Sequence, residues 1–267
     1  MFRRALAGLG LACSLLAATA SHAQADAAST GGDPFGSFQW PDLKREFLGA
    51  TPVEFDARVQ VLGPSFAEDP MNVPISVSVV GLPGVERITV LVDRNPIRKV
   101  LEYFPIASLP RVSFRFKLEQ SSPVRVAAMT RDGVWHVGGT LVNSTGGGCT
   151  APSATRRDDG WARSLGELSA RTFARSAPAE GLGVGGVRLR LRVMHPMDTG
   201  LVGGVPAFYV NHLSLRDAAG RELMRLNSYE PVSENPVFSF DFAEAPPGPL
   251  QLVGTDNNGN RIGGAIR

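Results

Sequence analysis

The sequence predicts an all-β chain: two β-sandwich regions joined by a linker that contains glycine and cysteine. Three observations predict it. Runs such as Val112-Ser113-Phe114-Arg115-Phe116-Lys117-Leu118 and Val187-Arg188-Leu189-Arg190-Leu191-Arg192-Val193 alternate apolar and polar residues, which puts one face on a core and one in water. Turn signals separate the runs: Gly81-Leu82-Pro83-Gly84, Asp93-Arg94-Asn95-Pro96 and Asp132-Gly133. The 267 residues include 30 glycines and 20 prolines, a supply suited to many short strands rather than to βαβ units.

The chain opens on an address. Arg3 and Arg4 precede an apolar run over residues 6–20, and Ser21-His22-Ala23 offers the small residues a signal peptidase reads. Cleavage is expected after Ala23, so residues 1–23 are a secretory signal. The apolar run is shorter than the roughly 20 residues of a membrane-spanning helix. No later segment reaches that length, and no membrane span is expected in the mature protein. Cys13 lies inside the signal and leaves with it.

Residues 24–48 are small and polar at first and read as a flexible lead, with a short helix near Pro41 and Asp42. The first sandwich is assigned to residues 49–143. Its strands are read at Ile75-Ser76-Val77-Ser78-Val79, Ile88-Thr89-Val90-Leu91-Val92, residues 112–118, Val124-Arg125-Val126 and Trp135-His136-Val137, six or seven in all. Residues 144–183 form the cysteine-bearing loop and linker. Within them Trp161, Leu165 and Leu168 fall near helical spacing and suggest a short amphipathic helix over residues 161–173. The second sandwich is assigned to residues 184–267, with strands at 187–193, 209–215, 237–242, 250–253 and the C-terminus.

Composition excludes several classes. With 43% hydrophobic and 19% charged residues a packed core is expected, and a formal charge of +2 gives no case for nucleic acid. There is no phosphate-binding glycine loop opening a helix, no zinc spacing and no supported carboxylate pair. Asp256-Asn257-Asn258-Gly259 lacks the later glutamate of a calcium loop and reads as a hairpin turn. No catalytic residue, metal or cofactor is assigned.

Cys149 is the one cysteine left after the signal. A lone thiol in an exported chain suggests a free reactive group or intermolecular pairing. Gly146, Gly147 and Gly148 stand before it, and a triple-glycine run reads as a mobile, exposed arm on which a thiol reaches partners. No base is placed to make it a protease-like nucleophile, so a covalent carrier is the expected use. His195, Pro196, Met197, Thr199 and Gly200 form a candidate interface or partner loop; one histidine and one methionine are too few for a metal.

The chain also resembles a known pair of families. Residues from about 50 to 149 resemble SoxY, through Val73-Pro74-Ile75-Ser76-Val77, Asp93-Arg94-Asn95-Pro96, Ser122-Pro123-Val124-Arg125, the Asp132-Gly133 hairpin and the glycine-cysteine ending. Residues from about 184 to 267 resemble SoxZ, through His195-Pro196-Met197-Asp198-Thr199-Gly200, Ser233-Glu234-Asn235-Pro236 and Thr255-Asp256-Asn257-Asn258-Gly259. The order resembles fused SoxYZ-like carriers associated with quinoprotein dehydrogenases. The resemblance implies two immunoglobulin-like sandwiches that pair within the chain, a periplasmic location, and a sulfur intermediate carried covalently on Cys149 by a swinging arm. Periplasmic oxidoreductases, a quinoprotein dehydrogenase among them, are the implied partners. Here Cys149 is followed by Thr150-Ala151-Pro152 and a further domain, so the arm is tethered at both ends. The competing reading is a non-covalent docking module for a dehydrogenase or a metal; a thiol-dependent enzyme ranks last.

Overall fold

The computed structural model of the protein describes residues 32–157, 160–175 and 186–266. The expected signal, the start of the lead and the linker around Ala179 lie outside the described residues. The chain divides into two compact units, residues 1–49 and 50–267. In the first, the Asp33 carboxylate accepts the backbone N–H groups of Phe35 and Ser37 at 3.2 and 2.8 Å. Pro41 then sits in the first turn of α1 (Trp40–Leu43), which runs into a π-helical turn (Lys44–Leu48), so the short helix expected here is present.

The second unit holds the strands. The first half contributes β1 (Val53–Phe55), β2 (Val59–Leu62), β3 (Phe66–Ala67), β4 (Val73–Val79), β5 (Val85–Val92), β6 (Lys99–Phe104), β7 (Arg111–Phe116), β8 (Ser122–Thr130) and β9 (Trp135–Ser144). The second half contributes β10 (Leu168–Arg175), β11 (Gly186–Val193), β12 (Val210–Arg216), β13 (Glu222–Ser228), β14 (Val237–Phe242), β15 (Leu250–Asp256) and β16 (Arg261–Ile266). Among the described residues they form two sheets. One has ten strands, in the order β1-β9-β8-β5-β6-β13-β12-β15-β16 with β3 beside β9; the other has six, in the order β10-β11-β14-β7-β4-β2.

The all-β expectation holds, and the pairing of the halves proves to be a main-chain pairing. In the ten-stranded sheet β6 lies antiparallel to β13, with Leu101 opposite Ser228 and Phe104 opposite Arg225. In the six-stranded sheet β7 lies antiparallel to β14, with Val112 opposite Phe240. Both layers therefore pass unbroken from one half to the other, and one hydrophobic cluster runs through both. Tyr103 and Phe240 meet across it with ring centroids 5.5 Å apart. Each fully buried Leu, Val or Phe in that cluster contributes on the order of 1.5–3 kcal/mol.

Two expectations are corrected. The helix over residues 161–173 is absent: a 3₁₀ turn (Trp161–Arg163) gives way to β10, which pairs with β11 from Leu168 opposite Val193 to Arg175 opposite Gly186. Gly166 between them has φ +75°, which no right-handed helix tolerates, and its N–H donates to the Met194 carbonyl at 2.8 Å. Residues 168–175, assigned to the linker, are thus a strand of the second half. The other correction concerns the arm and follows with the site. The hairpin turn read at residues 256–259 is present: Asp256 Oδ1 accepts the N–H groups of Asn258 and Asn260 at 2.9 Å.

Candidate functional site

The site is built where β7 runs out. Beyond Phe116 the chain leaves the strand through Lys117 and Leu118 and bends at Glu119, and Asn95 holds it there. The Asn95 amide donates to the Lys117 carbonyl at 2.8 Å, and its oxygen accepts the Glu119 N–H at 2.9 Å. Two residues before Asn95, Asp93 takes both prongs of the Arg125 guanidinium at 2.7 and 2.8 Å with both side chains fully buried.

The glycine stretch lies against this segment. Gly147 N–H donates to the Glu119 carbonyl at 3.0 Å and Gly148 N–H to the Leu118 carbonyl at 3.2 Å. A Cβ on Gly148 would stand 2.2 Å from the Pro70 carbonyl oxygen and 2.7 Å from that of Leu118. A Cβ on Gly146, at φ +91°, would stand 2.6 Å from the Glu119 carbonyl oxygen. Two of the three glycines are therefore required for close backbone approach.

Cys149 follows, a free cysteine with no exposed surface. This corrects the expectation of an exposed thiol on a mobile arm: the arm is docked. Its N–H donates to Glu119 Oε2 at 2.9 Å, and its Sγ–H donates to the Lys117 carbonyl at 3.5 Å. The same carboxylate takes the Thr150 N–H at 3.2 Å and the Thr150 hydroxyl at 3.1 Å.

The second half closes over the segment. After β11 the loop His195-Pro196-Met197-Asp198-Thr199-Gly200 turns inward. The Thr199 hydroxyl donates to the Cys149 carbonyl at 2.7 Å and accepts from Leu201 N–H at 3.2 Å. The buried Lys117 ammonium donates to the Met197 carbonyl. Met197 adopts φ +51°, and its N–H donates to His195 Nδ1 at 3.1 Å. Accepting at Nδ1 leaves the proton on Nε2, which faces Asp256 Oδ2 at 3.5 Å without a hydrogen bond. The His195 ring packs on Phe208 at 4.3 Å. Asp198 pairs with Arg156 at 2.6 Å. Further along, Glu234 accepts from Ser153 and from the Thr155 N–H at 3.0 Å, and the Asn235 amide donates to the Thr155 hydroxyl at 2.8 Å. The candidate partner loop thus binds the chain's own cysteine segment.

Electrostatics keep the docked thiol neutral. Burial pushes the Cys149 thiol up to about 12, the Glu119 carboxylate adds to this, and the Lys117 ammonium opposes it. Burial lowers the Lys117 ammonium, opposed by Asp198, Cys149 and Glu234. Burial takes His195 down to about 4 against the pull of Asp256, so the ring is neutral near pH 7. The nucleophile is the thiolate, so the docked cysteine is shielded rather than reactive. Among the described residues no cluster of three His, Cys, Asp or Glu could hold a metal, and no helix is long and apolar enough to cross a membrane.

Cys149 and the residues 195–200 are brought together as one site. Lys117, Glu119 and Asn95 belong to it too; the sequence reading had Asn95 only as part of a turn, Lys117 only as part of a strand, and did not name Glu119. Glu119 carried one signal, a carboxylate just past an apolar alternation. Lys117 carried none, because its position alternates with the outward residues Ser113 and Arg115.

Residues 44–149 match the family model described as Sulfur oxidation protein SoxY, and the match ends on Cys149. Residues 180–265 match the model described as Sulphur oxidation protein SoxZ. Fold and matches define a sulfur-oxidation carrier protein built of immunoglobulin-like sandwiches. The chain carries a SoxY domain followed by a SoxZ domain in a single polypeptide, the two paired within it. A solved structure, the sulfur carrier protein SoxY from Chlorobium limicola f thiosulfatophilum, is similar at 20% identity and TM-score 0.35, over 40% of this chain and 96% of that one. No curated protein matches the chain.

Proposed function

We propose that this chain is a periplasmic carrier, not a catalyst, that bonds a sulfur-containing intermediate to the Cys149 sulfur. It presents the intermediate to partner oxidoreductases, a quinoprotein dehydrogenase system among them. The observation that carries this reading is the position of Cys149. It is a free thiol at the end of the SoxY match, gripped by Glu119 from one half and Thr199 from the other.

In this reading the docked state is the protected one. A neutral, shielded thiol neither pairs with a second chain nor attacks stray electrophiles. Release of residues 146–150 presents it, with Gly146, Gly147 and Gly148 serving as the arm. The docking-module alternative loses its best surface, because the loop His195 to Gly200 is engaged within the chain. The test is the intact mass of the mature protein taken from its native compartment, with and without reductant. A reductant-labile increase of one or more sulfur atoms or a sulfur oxide group, mapped to Cys149, is expected. An unmodified thiol under conditions of active sulfur oxidation would overturn the reading.

A further inference from the structure

The outward face of the six-stranded sheet carries a concentration of arginine that the sulfur carrier role does not explain. Along β10 and β11 the register sets Arg171 opposite Arg190, with Ser169 opposite Arg192 and Phe173 opposite Arg188. Across the sheet β7 adds Arg111 and Arg115 to the same face. Leu189, Leu191 and Val193 point into the core, so the arginines between them point out, and Arg171, Arg190, Arg192 and Arg115 are exposed. One carboxylate, Asp241, shares the described face, and it is taken by Arg188 at 2.8 Å. The whole chain balances 27 basic against 25 acidic residues, so this face is a local excess, not a reflection of overall charge.

We propose that this face docks an acidic protein surface, that of the oxidoreductase that loads Cys149. The proposal rests on the carrier reading. Three features favour such a partner. The guanidinium fork pairs bidentately with carboxylates, and arginine is enriched at protein interfaces. The face is a sheet surface with a shallow groove of about 260 Å³ between Arg171, Phe173, Arg190 and Arg192, which suits another protein better than an enclosed small molecule. Its position also fits. β7 passes from Arg115 directly to Lys117, and β11 passes from Arg192 to His195, so the arginine rows end where the cysteine segment is held. A partner seated on them has its own site at the docked arm. An anionic membrane is the poorer fit. The exposed apolar side chains of this face, Phe173 and Leu62, stand on opposite edge strands, about 24 Å apart at the usual strand spacing, and form no insertion patch.

The test compares wild type, the double variant Arg190→Glu/Arg192→Glu, and the control Arg216→Glu on the other sheet, each in its native cells. The readout is the fraction of Cys149 carrying its reductant-labile adduct. Purified proteins are titrated in parallel with an oligo-glutamate peptide and with phosphatidylglycerol vesicles over a salt series. Adduct occupancy about tenfold lower in the double variant, with the control and all melting temperatures unchanged, is the expected result, since like charges across an interface repel strongly. Peptide binding that weakens with salt and is lost in the double variant is expected alongside it. Wild-type occupancy in the double variant overturns the proposal, and so does binding to vesicles but not to peptide. If wild type itself carries no adduct, the carrier reading has failed, and the peptide titration alone decides the docking face.

Discussion

Gly148→Ala separates a docked arm from a mobile one. Alanine there would place its Cβ 2.2 Å from the Pro70 carbonyl oxygen, and 2.7 and 2.8 Å from the Leu118 oxygen and nitrogen. All three are backbone atoms of residues tied by the Leu118 N–H to Pro70 carbonyl bond of 2.8 Å, so none can swing aside as a side chain would. Overpacking of this kind costs about 1–3 kcal/mol. At about 2 kcal/mol the docked state loses roughly 30-fold in population against the released state. The assay is the rate of Cys149 labelling by a disulfide reagent near pH 8. The docked thiol is shielded and neutral, so labelling follows the released fraction when redocking is fast. Gly148→Ala is expected to label about 30-fold faster than wild type. Gly147→Ala meets no atom within 4 Å and bears only the strain of its φ of +86°. At about 1 kcal/mol that gives roughly fivefold. Wild type that labels as fast as the denatured chain would refute the docked arm. So would equal rates for Gly148→Ala and wild type at unchanged melting temperature.

The remaining predictions use the same site. Glu119→Gln removes the charge that receives the Cys149 and Thr150 N–H groups, and faster labelling by about tenfold or more is expected, since hydrogen bonds to a charged group contribute about 1.5–3 kcal/mol; unchanged labelling would contradict the clasp. Thr199→Val removes the hydroxyl from the Cys149 carbonyl, and at about 1 kcal/mol should speed labelling about fivefold. Folded His195 titrates near 4 against 6.5 for the free group, so between those values the unfolded chain binds the extra proton and stability rises with pH. Urea unfolding should therefore show up to about 3 kcal/mol lost between about pH 6.5 and pH 4, a slope that His195→Gln removes; equal slopes in both proteins would show that the loss arises elsewhere. Arg125→Met strands the buried Asp93 carboxylate and should cost about 3–5 kcal/mol by urea unfolding, with a loss under about 1 kcal/mol counting against the pair.

What the sequence displayed and what it hid follow a physical rule. Strands with one face on the core and one in water, such as β7 and β11, alternate cleanly and were legible. The strands that join the halves in the larger sheet, β6 and β13, were not read. In Lys99-Val100-Leu101-Glu102-Tyr103-Phe104 two adjacent residues are buried and the outer positions are also covered, because Glu102 receives Asn227 and Tyr229 and Phe104 lies under Arg225 at 4.5 Å. Contacts supplied from 120 residues away erase the alternation that local sequence would show. The site failed in a similar way. Glycine is permissive of motion and also of close approach, and the string Gly146-Gly147-Gly148 does not say which. The answer lay in the Pro70 and Leu118 carbonyls. The sequence marked the loop His195 to Gly200 as a candidate interface; that the loop meets the chain's own cysteine segment was not legible, because Lys117 and Glu119 carry no motif.

A carrier whose thiol is docked this firmly constrains how its partners must work. Besides the bonds of the Cys149 thiol and the Thr150 hydroxyl, five hydrogen bonds to main-chain groups hold the segment: those of the N–H groups of Gly147, Gly148, Cys149 and Thr150, and that of the Thr199 hydroxyl to the Cys149 carbonyl. At a net contribution near 0.8 kcal/mol each they amount to about 4 kcal/mol, which leaves about one molecule in a thousand released. A partner that recognises only the released arm then binds about a thousandfold more weakly than its intrinsic affinity, because the competent state is scarce. Contacts made equally well in both states offset that loss of affinity without favouring release, while contacts to the freed arm shift the equilibrium itself. A surface that stays exposed in both states and adjoins the arm meets the first need. The arginine face beside Arg115 and Arg192 is such a surface, and the tether at both ends of the arm keeps the freed thiol near it. Docking specificity and thiol release are then separable, and charge reversal at Arg190 and Arg192 should lower adduct occupancy in cells without changing the labelling rate of the isolated protein.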